Sequence, residues 1–218
     1  MFNYRYGLTE AVLSGRKTQT RRIITCPKEF KGEWVAGFYV YKRQSDNAII
    51  QWPCMYDADE CTFDGGEILP KYKIGEVVAV AQGYKDAGIN PSTVIGMPIK
   101  GSKTKGVLQC DAPYSPGWNN KMLVRADLMP HHIRITNVRV ERLQDISDED
   151  CIAEGVHKWT KDEELFKYDL ADGFEMFEWR DKPRTSREAY AALIDRISGK
   201  GTWDSNPYVF VYDFELVK

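Results

Sequence analysis

The stretch Ile133-Arg134-Ile135-Thr136-Asn137-Val138-Arg139-Val140-Glu141-Arg142-Leu143 decides the fold class. Its strict alternation puts Ile133, Ile135, Asn137, Arg139 and Glu141 on one face and Arg134, Thr136, Val138, Val140 and Arg142 on the other. The apolar residues change sides midway, so a β-bulge that shifts the phase is expected within a long edge or barrel strand. Downstream, Asp145-Ile146-Ser147-Asp148-Glu149-Asp150 opens a helix. Ser147 is a good N-cap, three acids occupy the first turn where the helix dipole favours them, and Gly155 stops it.

Further out, Thr185-Ser186-Arg187-Glu188 is a capping box, followed by Tyr190, Leu193, Ile194 and Ile197 at helical spacing and then Gly199. After the turn Thr202 to Pro207 comes an alternating strand, Tyr208 to Val217. Upstream, Tyr72 to Gly83 reads as a turn into a nearly continuous apolar strand, Val77 to Ala81, of the kind buried on both faces in the centre of a sheet. Trp34–Tyr41 and Ala48–Trp52 flank the polar segment Arg43–Asn47 as a hairpin, and Val107–Cys110 is a short strand candidate inside a Gly/Pro/Ser/Lys-rich loop. Short, irregular strands between few helices point to an α+β domain around a small β-barrel rather than a repeated βαβ sheet. With 218 residues, 43% of them hydrophobic, the chain can bury a sizeable core. It reads as one domain, 1–218, with insertions around 26–70, 84–120 and 157–184.

The segment Gly15-Arg16-Lys17-Thr18-Gln19-Thr20-Arg21-Arg22 packs four cations and two hydroxyls into eight residues. It follows a short helix, Leu8 to Ser14, for which Thr9 is the predicted N-cap and Gly15 the left-handed exit. As a strand, Thr18, Thr20 and Arg22 face one way and Lys17, Gln19 and Arg21 the other, so Lys17 and Thr20 meet only if the chain turns near Lys17. Such a segment can hold an anion, or it can be a solvated basic turn. A formal charge of -2 excludes a global basic field, so any nucleic-acid contact must be local. Five cysteines without paired C-x-x-C spacing suggest neither a disulfide framework nor a zinc ribbon. No apolar run approaches the roughly 18 residues of a membrane span, and the N-terminus lacks a signal-peptide core. The expectation is a cytoplasmic protein with no membrane association, metal or cofactor. Adjacent His131 and His132 point to opposite faces of a strand and have no third ligand at convincing spacing. Cys151, among carboxylates, reads as a buried thiol.

Taken in order, Gly15–Arg22, the strand entry Ile74–Val80, Arg139–Leu143 running into Ile146-Ser147 and Ala153-Glu154-Gly155-Val156, and Trp203-Asp204-Ser205-Asn206-Pro207 with its closing strand resemble the ASCH domain. They are most similar to the longer phage and prophage-type members of that family. The resemblance implies a PUA-like fold, a compact barrel with helices across its openings, and binding of RNA or a modified nucleoside or nucleotide in a basic cleft. Small bacterial members include amidohydrolases that deacetylate N(4)-acetylcytidine with a lysine and a threonine of the G-x-K-T-x-T segment and a later glutamate. By resemblance these are Lys17, Thr20 and Glu154, with Arg16, Thr18, Arg21, Arg22 and Trp203 as ligand-binding candidates. On chemical grounds Thr20 needs a neighbouring base, which Lys17 or Glu154 could supply, and Arg21 or backbone N–H groups could meet an oxyanion. A non-catalytic RNA-binding module and a protein-interaction scaffold are the competing readings. Tyr84 and Lys85, just past the Val77 strand, are further pocket candidates.

Overall fold

The computed structural model describes residues 6–45, 48–90, 117–161, 164–171 and 173–217. The predicted strand at Val107–Cys110, most of the 84–120 insertion and the tip of the first hairpin lie outside them. The fold is mixed α+β, mostly strands, with one four-stranded sheet curled into a half-barrel. Helix α1 (Leu8–Leu13) leads into β1 (Gln19–Ile23). Next come the short pair β2 (Glu29–Phe30) and β3 (Glu33–Trp34) and a three-stranded antiparallel sheet, β4 (Gly37–Ser45), β5 (Ala48–Tyr56) and β6 (Thr62–Glu67). Strand β7 (Val77–Ala79) and strand β8 (His132–Arg142) follow, then α2 (Asp148–Ala153), the hairpin β9 (His157–Thr160) and β10 (Phe166–Asp169), α3 (Ser186–Ser198), α4 (Thr202–Ser205) and β11 (Tyr208–Val217). The half-barrel runs β1-β11-β8-β7, every pair antiparallel.

The expected bulge falls at Thr136, because Asn137 pairs with Asp213 while Ile135 pairs with Phe214. One extra residue puts Val138 and Val140 on the same face as Ile133 and Ile135, opposite Tyr212, Phe210, Leu216 and Phe214. Asn137, Arg139 and Glu141 move to the other face, beside Val209, Val211 and Asp213. The two faces of β11 are both covered, with Val209, Val211 and Tyr212 at 0–1% exposure.

Two expectations are corrected. The Val77 strand is not central: it is a three-residue edge strand with Val77 half exposed, and β11 and β8 hold the middle. Its neighbour Val80, which suggested burial on both faces, is buried after the strand has ended. Thr9 does not cap α1, whose N-cap is Gly7 in the left-handed region (φ 62°); Thr9 is buried inside the helix. The other caps stand: the Ser147 hydroxyl accepts from the Asp150 N–H, and Thr185 and Glu188 form a reciprocal capping box. Thr185→Ala should lower the unfolding free energy by about 1 kcal/mol in a denaturant titration; an unchanged midpoint would mean that packing alone sets the start of α3. The 157–184 segment is tied down by Asp169, fully buried, which accepts from the Leu170, Met176 and Phe177 N–H groups and from Lys182 Nζ at 2.9 Å.

Candidate functional site

Lys17 reaches its place because α1 ends at Ser14, Gly15 takes a positive φ of 73°, and the Lys17 and Thr18 N–H groups bond to the Ala11 and Ala153 carbonyls. This turn between α1 and α2 swings the Lys17 side chain inward. Its Nζ lies 2.7 Å from the Gln19 carbonyl, 2.7 Å from the Glu154 carbonyl and 2.5 Å from Glu154 Oε2. Gly155 permits the approach: a Cβ there would lie 3.2 Å from Leu8 Cδ2 and 3.7 Å from Lys17 Cδ, on a backbone with φ 108°. Burial pushes the Lys17 ammonium below its usual range, against the pull of Glu154 and with help from Arg22 and Arg21.

Beside this pair Arg21 is buried with all five N–H groups committed. Nε and Nη2 meet Glu141 Oε1 at 3.0 and 2.6 Å, Nη2 also meets Asp150 Oδ2 at 2.8 Å, and Nη1 donates to Gln19 Oε1 and, at 3.3 Å, to Glu154 Oε1. Gln19 Nε2 donates to Asp150 and Asp213, and Arg139 bonds to Glu141, Asp150 and Asp213, so the network is continuous across the α2-facing side of the sheet. Burial opposes the Asp150 carboxylate, but hydrogen bonds from Gln19 and Arg21 outweigh it and hold its pKa below the usual range.

A solvated basic turn, one of the two readings of Gly15–Arg22, therefore fails at Lys17 and Arg21. Lys17 and Arg21 are 2% and 5% exposed and neutralised, because carboxylates from β8 and α2 fold down onto them. Arg16 is exposed and bonds to Ser14 Oγ; Thr18 is exposed and takes part through its backbone. Arg22, half-buried, pairs with no acid among the described residues. It shares a face with Thr20, Phe210 and Tyr212.

Lys17, Thr20, Arg21, Arg22 and Glu154 border one cavity of about 60 Å³, closed on its far side by Leu8, Tyr190, Leu193, Ile194 and Ile197. It lies along the outer edge of β1. The Thr20 hydroxyl has no hydrogen-bond partner among the described residues. Tyr190 joins the site although helical spacing marked it only as core. Burial raises its phenol well above the usual range and the Glu154 charge adds to this, so it remains a donor. Trp203 lies elsewhere: it packs edge-on against Tyr190 at 6.2 Å and its carbonyl accepts from Gln144. Tyr84 belongs to a separate small cluster with Val124 and Met129. Cys151 is buried, and burial pushes its thiol up to about 11.

Among the described residues no group of three or more His, Cys, Asp and Glu side chains could hold a metal, and no helix is long and apolar enough to cross a membrane. Comparison with protein-family models, curated proteins and solved structures finds no match to this chain.

Proposed function

We propose that this chain is an ASCH-type, PUA-like protein that binds a modified nucleoside or an RNA carrying one, and hydrolyses an N-acyl amide of cytidine at the cavity bordered by Lys17, Thr20 and Glu154. The observation that carries the reading is that cavity: a nucleophilic hydroxyl with no hydrogen-bond partner among the described residues, a buried lysine of lowered pKa and a carboxylate 2.5 Å from it border it together, drawn from two distant segments. At about 60 Å³ the cavity admits an acyl group rather than a whole nucleoside, so the base and sugar stay at its mouth.

The chemistry follows from these groups. Transfer of the Lys17 proton to Glu154 leaves a neutral amine, which takes the Thr20 proton as Oγ attacks the acyl carbon. The negative charge on the carbonyl oxygen is met by Tyr190 or Arg22. Arg21 is excluded from that role because its five donors are spent on Gln19, Glu141, Asp150 and Glu154. It is a positioning residue that holds Glu154. As the C–N bond breaks, the leaving amine takes the proton from Lys17. Water then cleaves the Thr20 ester, giving the carboxylic acid and restoring the hydroxyl.

The test is release of cytidine from N(4)-acetylcytidine, and from short RNA containing it, followed by chromatography. Turnover by the wild-type chain, abolished in Thr20→Ala and retained in part by Thr20→Ser, supports the reading. A wild-type chain that binds cytidine ligands without turnover returns the site to a binding role, in which Arg22 contacts an anion. Undiminished turnover in Thr20→Ala overturns the assignment of the nucleophile.

A further inference from the structure

Pairing between β7 and β8 ends where Gly75 donates to the Ile135 carbonyl, and Gly75 turns the chain away at φ 84°. Beyond the bulge at Thr136, β8 pairs with β11 alone among the described residues, so its other edge carries open backbone N–H and C=O groups. The chain that has turned away forms an opposite wall. Pro70, Tyr72, Lys73 and Ile74, with Trp52 of β5, enclose a cavity of about 730 Å³ against Asn137–Val140 and Phe210. That volume lies within the range of small-molecule sites. Tyr72 is fixed by an edge-on contact with Tyr212 at 5.6 Å and by the Lys71 N–H bond to the Tyr212 hydroxyl. Trp52 is half-buried and has no ring partner among the described residues.

A second cavity, of about 380 Å³, shares Tyr72 and Phe210 with the first and is bordered by Arg22 and Lys71. Arg22 also borders the Lys17–Thr20–Glu154 cavity. From that site outward, the walls thus present a guanidinium with no acid partner among the described residues, then Lys71 over the Tyr72 ring at 5.5 Å, then an aromatic chamber with an open strand edge. Cations interleaved with aromatic faces fit a nucleic-acid strand, whose phosphates and bases alternate in the same way. An open strand edge beside aromatic walls fits a planar heterocycle with donors and acceptors on its rim.

We infer that the chamber between Trp52, Tyr72 and β8 seats the base of a nucleotide flanking the one held at Lys17, Thr20 and Glu154, with Arg22 at the phosphate between them. This rests on the proposed function and makes the substrate an oligonucleotide rather than a free nucleoside. Trp52 and Tyr72 come from segments outside the basic motif, so they set substrate length without taking part in the chemistry.

Calorimetric titration of the full chain with cytidine monophosphate and with the dinucleotides CpC and CpA tests it. One stacked base should make a dinucleotide bind about 5- to 100-fold tighter than the mononucleotide. Trp52→Ala should erase most of that gain and leave mononucleotide affinity unchanged, while Trp52→Phe should keep most of it. Equal affinities for mono- and dinucleotides overturn the second base site alone. Equal loss of both ligands in Trp52→Ala overturns it too, by placing Trp52 in the first site or in the fold. No binding of any of the three ligands, together with no turnover of acetylcytidine, strikes at the proposed function itself.

Discussion

Arg21→Met is expected to lower the unfolding free energy by about 3–5 kcal/mol, the range for removing one partner of a buried ionic network. The loss arises from what is left behind. Glu141, Asp150 and Glu154 converge on the guanidinium at 2.6, 2.8 and 3.3 Å, and without it they face one another at the covered side of the sheet. Lys17 and Arg139 compensate only part of that charge. Arg22→Met, one residue along, is the control: Arg22 pairs with no acid among the described residues, so its removal should shift the midpoint by less than about 0.5 kcal/mol. Urea titrations of the two variants decide the matter. Equal small effects would show that the carboxylates find water or protons at little cost. The network is not thereby evidence of high stability, since an apolar replacement of all its members could fold as well.

Glu154→Gln should slow acyl-cytidine hydrolysis by about 100- to 10,000-fold and move the rising limb of its pH–rate profile toward acid. Burial lowers the Lys17 pKa from 10.5, and Glu154 is the group that pulls it back up. A neutral amide removes that pull, so Lys17 loses its proton at lower pH in the variant than in the parent. Stability carries the same sign. A lysine whose folded pKa lies below its unfolded value binds its proton more tightly in the unfolded chain, so stability rises with pH up to the unfolded value and falls as pH drops through the folded one. The variant should show a steeper dependence than the parent. A rate loss with an unmoved limb would make Glu154 a purely structural partner of Lys17.

Local signals made much of the scaffold legible. Ser147, the Thr185–Glu188 box and Gly199 mark helix ends because capping depends on residues three or four apart, and the alternation in β8 and β11 marks strands for the same reason. The rank of a strand within a sheet depends on partners that local pattern does not contain, so Val77–Ala79 read as central and proved to be an edge. The ion pairs that spend Arg21's donors are not legible locally, because its acids lie 120 to 133 residues away. Tyr190 went unnoticed as a site residue because a core position and a cavity wall share one helical spacing. Lys17, Thr20 and Glu154 were selected by motif resemblance; spacing alone could not say that they border a common cavity.

The extra residue at Thr136 makes β8 behave as two half-strands in antiphase. Up to Ile135 the odd-numbered residues build the apolar wall; from Val138 the even-numbered ones do, which frees Arg139 and Glu141 to complete the polar network with Arg21. Parity is held by the bulge rather than by the residue: removing Thr136 would let Asn137 follow Ile135 in unbroken alternation with every partner on β11 kept, whereas pairing Thr136 into the ladder would send Asn137, Arg139 and Glu141 toward Phe210 and Tyr212 and turn Val138 and Val140 to the polar side. A one-residue deletion is thus absorbed at Thr136, while a one-residue insertion elsewhere in the paired run has to be taken up by a second bulge.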